Sequence, residues 1–170
     1  MIKSLLSPKN TSMAQFLKKK YSNLDHKGML SVDYGTKVVG LATFCEGRDP
    51  YPLPFGRIIY KDDETLITEI QNILRSEELN MIILGVPYLT DGQATKMTTK
   101  ILNFAKKFED QIPGTPLFLQ DETLSTFEAK ERMKQMPQYN FKVDMKKIDE
   151  LAAAIILEAF VEKINLDQSN

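Results

Sequence analysis

The sequence predicts an α/β fold, a mixed sheet of about five strands with helices on both faces. Three apolar segments come first, at residues 29–33, 38–44 and 55–60, and only a short glycine-containing turn separates the first two. Short apolar segments joined by tight turns are typical of antiparallel strands. Beyond residue 61, helical periodicity alternates with two continuous apolar runs, at residues 81–84 and 116–119. Such runs are typical of parallel strands buried on both faces of a sheet.

Four helices are predicted between and after these strands. The first follows Asp62, a suitable N-cap, and carries apolar residues at helical spacing, namely Leu66, Ile67, Ile70, Ile73 and Leu74. The second begins near Gln93 and carries an apolar stripe that ends at Phe108. Ser125 and Glu128 have the spacing of a capping box, which predicts the start of the third helix. The last helix is expected over about residues 147–164, after a weakly patterned basic loop.

Composition favours one domain of ordinary globular type. The chain has 170 residues, of which 42% are hydrophobic and 26% charged, and this suffices for a single well-packed core. We expect that domain to span residues 29–165. A basic N-terminal extension at residues 1–28 precedes it, and a short tail at residues 166–170 follows it.

Charge, cysteine content and hydropathy exclude several classes of protein. No apolar run approaches the length of a membrane span, and the first 28 residues lack the apolar segment of a secretory signal, so we expect a cytoplasmic protein. Cys45 is the only cysteine, which excludes an internal disulfide and fits a reducing compartment. The net charge of −1 neither indicates nor excludes a nucleic-acid-binding protein, because phosphate contacts need only a local basic surface.

Acidic residues occur at three places that the predicted fold brings together. Asp33 ends the first strand, and Asp121 and Glu122 follow the fifth. The carboxyl ends of parallel strands share the sheet edge at which open α/β proteins bind ligands. Asp149 lies within the apolar stripe of the last helix, where a carboxylate must be paired, hydrogen-bonded, protonated or metal-bound. The alternatives are that Asp33 only starts a turn and that Asp149 only caps its helix.

Carboxylates gathered at one sheet edge point to a divalent cation. Because like charges repel, such a group is tolerated where a cation lies between its members or where one of them holds a proton. Oxygen ligands without histidine or cysteine favour Mg²⁺ or Mn²⁺ over zinc, and the only histidine is His26 in the N-terminal extension. Such ions serve phosphodiester hydrolysis, since they activate a water and stabilise the leaving oxygen.

Two segments are candidates for binding a substrate phosphate. The segment from Gly85 through Asp91 and Gly92 leads into a helix, whose first backbone N–H groups could hold a phosphate. Lys146 and Lys147 lie in the loop beside Asp149 and could reach a nucleic-acid backbone. The alternatives are an ordinary strand-to-helix turn for the first segment and a solvated surface for the lysines.

Four short segments together resemble a known family. They are residues 32–37 (VDYGTK) with 40–42 (GLA), 84–87 (LGVP) with 91–92 (DG), 121–126 (DETLST) with 128–129 (EA), and 148–149 (ID) with 152–153 (AA). In order and spacing these segments, which span about residues 29–163, resemble the YqgF/RuvX family, relatives of the RuvC Holliday-junction resolvases in the ribonuclease H-like superfamily.

This resemblance implies a ribonuclease H-like fold and a metal-dependent nuclease that processes the 5′ end of the 16S ribosomal RNA precursor, with the assembling small ribosomal subunit as a partner. It implies catalytic positions for Asp33, Glu122 and Asp149 and a site for Mg²⁺ or Mn²⁺ formed by these residues and Asp121. Some members of the family are credited with cutting branched DNA.

Two positions depart from the family's pattern. Val38 and Thr123 stand where the family usually has basic residues, and Lys37 compensates for this loss only in part. The departures leave a second hypothesis open, a non-catalytic RNA- or ribosome-binding module of the same fold. An ATP-binding domain of the actin type is a remote third, since such proteins need two domains around the nucleotide.

Overall fold

The computed structural model describes residues 28–88, 92–122 and 124–168. The strands are β1 (Gly28–Asp33), β2 (Val38–Cys45), β3 (Leu53–Ile59), β4 (Met81–Val86) and β5 (Leu117–Asp121). The helices are α1 (Asp63–Ser76), α2 (Lys96–Gln111), α3 (Ser125–Met133) and α4 (Ile148–Gln168), with a 3₁₀ turn at Pro137–Tyr139. The predicted extension at residues 1–28 lies, except for Gly28, outside the described residues, and the predicted domain limits stay a prediction.

All five strands form one mixed sheet, as predicted. Their order is β3-β2-β1-β4-β5, in which β1 pairs antiparallel with β2 and parallel with β4. The edge pairs follow the same division, because β2 and β3 are antiparallel whereas β4 and β5 are parallel. The carboxyl ends of β1, β4 and β5 therefore lie along one edge of the sheet.

Helices cover both faces of the sheet, which confirms the predicted layers. On one face, Leu30 and Val32 of β1 pack in a core with residues of α1 and α2. On the other face, Met29 belongs to the core formed with α4, and the Ser31 hydroxyl donates a hydrogen bond to the Ala153 carbonyl at 2.8 Å. Because side chains alternate along a strand, Asp33 shares the α4 face with Met29 and Ser31.

Helix starts were predicted less accurately than strands. Asp62 caps α1 as expected, accepting from the Thr65 N–H at 2.7 Å. Helix α2 begins at Lys96 and not near Gln93, because Thr95 and Thr98 form a reciprocal capping box there.

The capping box predicted at Ser125 was wrong. The residue that precedes α3 is Leu124, which has a left-handed backbone (φ 76°). No side chain caps the helix at this position. The backbone N–H of Glu128 donates instead to the Leu124 carbonyl at 2.9 Å, and the Glu128 carboxylate pairs with Arg132 at 2.6 Å.

The last helix joins the layers. Most of its predicted stripe is buried, with Ile148, Ala152, Ala153, Ile156 and Phe160 all at most 4% exposed. Ala159, also predicted to lie in the stripe, is exposed, because it lies on the side of the helix that faces away from the sheet. One part of the stripe packs on the sheet and another packs on Ala129 and Met133 of α3. In the described part of the chain, no helix is long and apolar enough to cross a bilayer.

Candidate active site

Asp33 and Glu122 meet at the carboxyl edge of the parallel strands. Asp33 is the last residue of β1, and Glu122 directly follows β5, whose Asp121 pairs with Val86 of β4. Their side chains are joined by a hydrogen bond across the end of β4. This contact selects Glu122 over Asp121, which is exposed, as the partner of Asp33.

A glycine in β4 makes room for the Glu122 carboxyl group. Gly85 is buried within the strand, where a Cβ atom would lie 2.5 Å from Glu122 Oε2 and 2.7 Å from Ile156 Cδ1. No side chain could therefore occupy position 85 without moving the Glu122 carboxyl group and the Ile156 side chain. The structure gives this glycine a role in holding Glu122, whereas its predicted contact with substrate stays a prediction.

A second glycine brings Asp149 to the same region. Gly40 of β2 pairs with Asp33, and a Cβ atom at position 40 would overlap the backbone carbonyl oxygen of Asp149. The first turn of α4 therefore rests directly on β2, one strand away from Asp33. Asp149 therefore lies near enough to Asp33 for its charge to raise the pKa of Asp33, and a shared site for all three acids stays a prediction.

The electrostatics of the pair follow from burial and like charge. Burial raises the pKa of Asp33 to about 6, a hydrogen bond from Glu122 opposes this rise, and the charge of Asp149 adds to it. Burial, the charge of Asp33 and the hydrogen bond to Asp33 raise the pKa of Glu122 to about 9. At neutral pH the pair therefore holds one proton, which Glu122 donates to Asp33. The pKa of Asp149 is also raised by burial, and Arg57 opposes that rise.

The acid pair fits a divalent cation in part. Glu122 Oε2 is buried and has no hydrogen-bond partner among the described residues, so one oxygen is left for a ligand. Carboxylate oxygens suit Mg²⁺ or Mn²⁺. However, no three histidine, cysteine, aspartate or glutamate side chains in the described ranges are arranged to hold one ion. Asp33 and Glu122 are thus the candidate ligands, while participation of Asp149 and Asp121 stays a prediction.

The predicted substrate-binding lysines border the site from two loops. Lys37 is exposed in the turn between β1 and β2. Lys146 and Lys147 are exposed immediately before α4, where Lys147 opposes the raised pKa of Glu150. All three side chains are accessible to a ligand, and their predicted contact with substrate stays a prediction.

The turn before α2 is less open to a phosphate than its sequence suggests. Asp91 lies outside the described residues, and Gly92 is exposed with a positive φ of 82°. The backbone N–H groups of Thr95 and Thr98 each donate to the other's hydroxyl, at 2.8 and 3.0 Å. The Thr98 hydroxyl also donates to the Pro87 carbonyl. Two of the N–H groups expected at this helix start are therefore already occupied.

Sequence reasoning missed one basic residue at the site. Arg57 lies on edge strand β3, and its register partner is Gly40, against which Asp149 rests. An arginine among the apolar residues of a predicted strand was visible in the sequence. Its position near Asp149 was not visible there, because that position depends on the strand register and on where α4 packs against the sheet.

Sheet order and helix placement define an α/β protein of ribonuclease H-like architecture. The RuvC protein of T. thermophilus, solved in complex with a Holliday junction substrate, matches with a TM-score of 0.53 at 11% identity, over 80% of this chain and 95% of that one. A second structure of T. thermophilus RuvC gives a TM-score of 0.50 at 12% identity, over 79% and 95% of the two chains. At such identities the likeness establishes the fold.

Sequence comparison then identifies the family. The family described as "RuvX: Holliday junction resolvase" matches residues 27–163. A protein of Maridesulfovibrio salexigens named "Putative pre-16S rRNA nuclease" is 32% identical over 135 residues, 79% of this chain and 98% of the relative. A relative of the same name from Orientia tsutsugamushi is 31% identical over 144 residues, 84% and 88% of the two chains. This chain belongs to the RuvX family, which confirms the resemblance carried by its four short segments.

Proposed function

We propose that this protein is a metal-dependent nuclease that hydrolyses phosphodiester bonds of precursor 16S ribosomal RNA on the assembling small subunit. Membership of the RuvX family supports the reaction class, and the names of the relatives support the substrate. The observation that carries the proposal is the half-buried Asp33–Glu122 pair at the carboxyl edge of the sheet. The proposal implies a cytoplasmic location.

Each acidic residue of the site has its own role in the proposed reaction. Asp33 supplies a carboxylate held on the last position of a central strand, and Glu122 supplies a second carboxyl group whose Oε2 is unpartnered. Asp149, held by α4, adds negative charge beside Asp33. Mg²⁺ or Mn²⁺, when bound by Asp33 and Glu122 with help from Asp149 or Asp121, would acidify an attacking water and stabilise the leaving oxygen. Glu122 must give up its proton for both carboxyl groups to serve as ligands.

The proposal is tested by cleavage of precursor RNA. Wild type should shorten a 16S precursor with Mg²⁺ or Mn²⁺ and fail in excess chelator, and Asp33→Asn and Asp149→Asn should each lose at least about 100-fold in rate. Asp110→Asn, an exposed acid near the end of α2, is the matched control and should cleave normally. Undiminished cleavage by Asp33→Asn, or by wild type in chelator, contradicts the metal mechanism.

Two findings require further arms in the same assay. The family's description names a Holliday junction resolvase, so a four-way DNA junction is tested beside the RNA. Val38 and Thr123, which stand where the family usually has basic residues, favour a non-catalytic RNA-binding module as the second candidate. Tight binding of precursor RNA without cleavage under any metal condition supports that second function.

A further inference from the structure

Three residues form a row across three adjacent strands. Asp33 of β1 pairs with Gly40 of β2, and Gly40 pairs with Arg57 of β3. Directly opposed residues of antiparallel strands point to the same face, so Asp33 and Arg57 both stand on the face that α4 covers. Their backbones are about 10 Å apart, twice the usual strand spacing.

Asp149 lies between the two ends of this row. Its carbonyl group rests on the bare α-carbon of Gly40, the middle residue. The positive charge of Arg57 stabilises the charged carboxylates at this helix end. It therefore opposes the rise that burial causes in the pKa of both Asp149 and Glu150. The site is thus negative at Asp33 and positive at Arg57, with the start of α4 between them.

The guanidinium of Arg57 has N–H donors that are not used in hydrogen bonds with other described residues. The residue is exposed on the edge strand, and its guanidinium makes no hydrogen bond or ion pair with another described residue. A guanidinium offers five N–H donors in a planar fork, which matches the oxygens of a phosphate in a bidentate contact. The carboxylates repel the phosphates of a nucleic-acid strand that approaches them. A positively charged side chain nearby, such as Arg57, offsets this repulsion.

We propose that Arg57 is a substrate-binding residue, which holds a backbone phosphate of the nucleic acid beside the scissile position. This inference rests on the proposed function in needing a nucleic-acid substrate, although it does not need cleavage. The competing explanation is that Arg57 only steadies the first turn of α4 through the charges of Asp149 and Glu150. That explanation predicts an effect on stability and none on the salt dependence of binding.

Binding by a cleavage-deficient protein separates these explanations. In an Asp33→Asn background, Arg57→Gln should weaken binding of the RNA precursor about tenfold or more, as expected for a lost charged hydrogen bond. It should also reduce the slope of log affinity against log salt by about one. Arg57→Lys keeps the charge without the fork and should recover the slope but only part of the affinity.

Arg75→Gln, an exposed arginine in the last turn of α1, is the matched control and should bind as the background protein does. Thermal unfolding of each variant reports whether the fold is kept. Unchanged affinity and slope in Arg57→Gln, or equal losses in Arg75→Gln, overturn the inference while leaving the nuclease proposal intact. Wild type that cleaves nothing while Arg57→Gln still loses affinity and slope overturns the nuclease proposal alone. Failure of both wild type and the background protein to bind RNA or junction DNA overturns both proposals.

Discussion

At the residue scale, the Asp33–Glu122 pair makes the stability of the metal-free protein depend on pH. The pKa of Glu122 is about 9 in the folded protein, well above its ordinary value of 4.5. Between these limits the folded state binds more protons than the unfolded state, so the free energy of unfolding falls as the pH rises. Burying like charges at this edge therefore lowers stability under the conditions in which the site must work.

Removing the charge of Glu122 should reverse that loss. In chelator at pH 8, we expect Glu122→Gln to raise the free energy of unfolding by about 1–3 kcal/mol, and the gain should vanish near pH 4. Thermal or urea unfolding across this range checks the prediction. Glu162→Gln, an exposed acid on α4, is the control and should show no such pH-dependent gain. A destabilised Glu122→Gln protein at pH 8 contradicts the shared proton.

Gly40 supports the site through the space that it leaves. A methyl group there would overlap the Asp149 carbonyl, so Gly40→Ala must displace the start of α4. We expect a loss of about 1–3 kcal/mol in the free energy of unfolding, and weaker cleavage because Asp149 moves. Gly114→Ala is the matched control, since nothing lies within 4 Å of a Cβ atom at that position. If both variants unfold alike, the close approach of α4 does not restrict position 40.

At the element scale, α1 and α2 are tied to the strand end beside Asp33. Tyr34 and Tyr60 donate hydrogen bonds to Asp63 Oδ1 at 2.7 and 3.0 Å, and Lys107 donates to Oδ2 at 2.6 Å. Burial raises the pKa of Asp63, but the hydrogen bonds from Lys107, Tyr34 and Tyr60 outweigh it and lower the pKa below its ordinary value. This network anchors the turn that follows Asp33.

Asp63 should therefore contribute stability with the opposite pH dependence. Because its pKa is lowered in the folded state, the contribution is present above about pH 4 and is lost as the pH falls further. Asp63→Asn should cost about 1 kcal/mol at pH 7, a modest value because the network is partly exposed to solvent, and less at pH 3. Urea unfolding at the two pH values measures the difference. A loss that is the same at both shows that charge plays no part.

The strands and the last helix were predictable from local apolar patterns, whereas two helix starts were not. Continuous apolar runs predicted β4 and β5, and the apolar stripe predicted the buried side of α4, near the start of which Asp149 lies. The start of α2 was misplaced because Thr95 and Thr98 cap it three residues later than the periodicity suggests. The capping box at α3 is absent because Leu124, with a left-handed backbone, precedes the helix. A leucine in a sequence does not indicate a left-handed backbone.

At the scale of the whole molecule, the sequence alone predicted the layers and the set of acids but not their pairing. Sheet topology follows from the order of strand and helix patterns, since short connections leave few arrangements. The family resemblance assigned Glu122 a catalytic position but left both Glu122 and Asp121 as metal ligands. Finding that Glu122 is the partner of Asp33, and that Arg57 lies on the α4 face, requires the register of the strands. Those relations arise from packing between distant segments, and local periodicity carries no information about them.

A cation should couple the site to the stability of the whole fold. A ligand that binds only the folded state raises the free energy of unfolding, by about 2.7 kcal/mol at 100 times its dissociation constant. We expect Mg²⁺ or Mn²⁺ to raise the melting temperature of wild type by several degrees, and by more at pH 8 than at pH 6 because Glu122 must lose its proton.

Variants then assign the ligands in the same melting experiment. Asp33→Asn and Glu122→Gln should each abolish the shift, since they remove the two carboxyl groups that share the edge. The size of the remaining shift in Asp149→Asn and Asp121→Asn measures whether either acid joins the coordination. Sodium chloride at matched ionic strength controls for screening of the like charges. If neither divalent ion raises the melting temperature above that control, the carboxyl edge binds no cation, and Asp33 and Glu122 remain a half-buried pair that shares a proton.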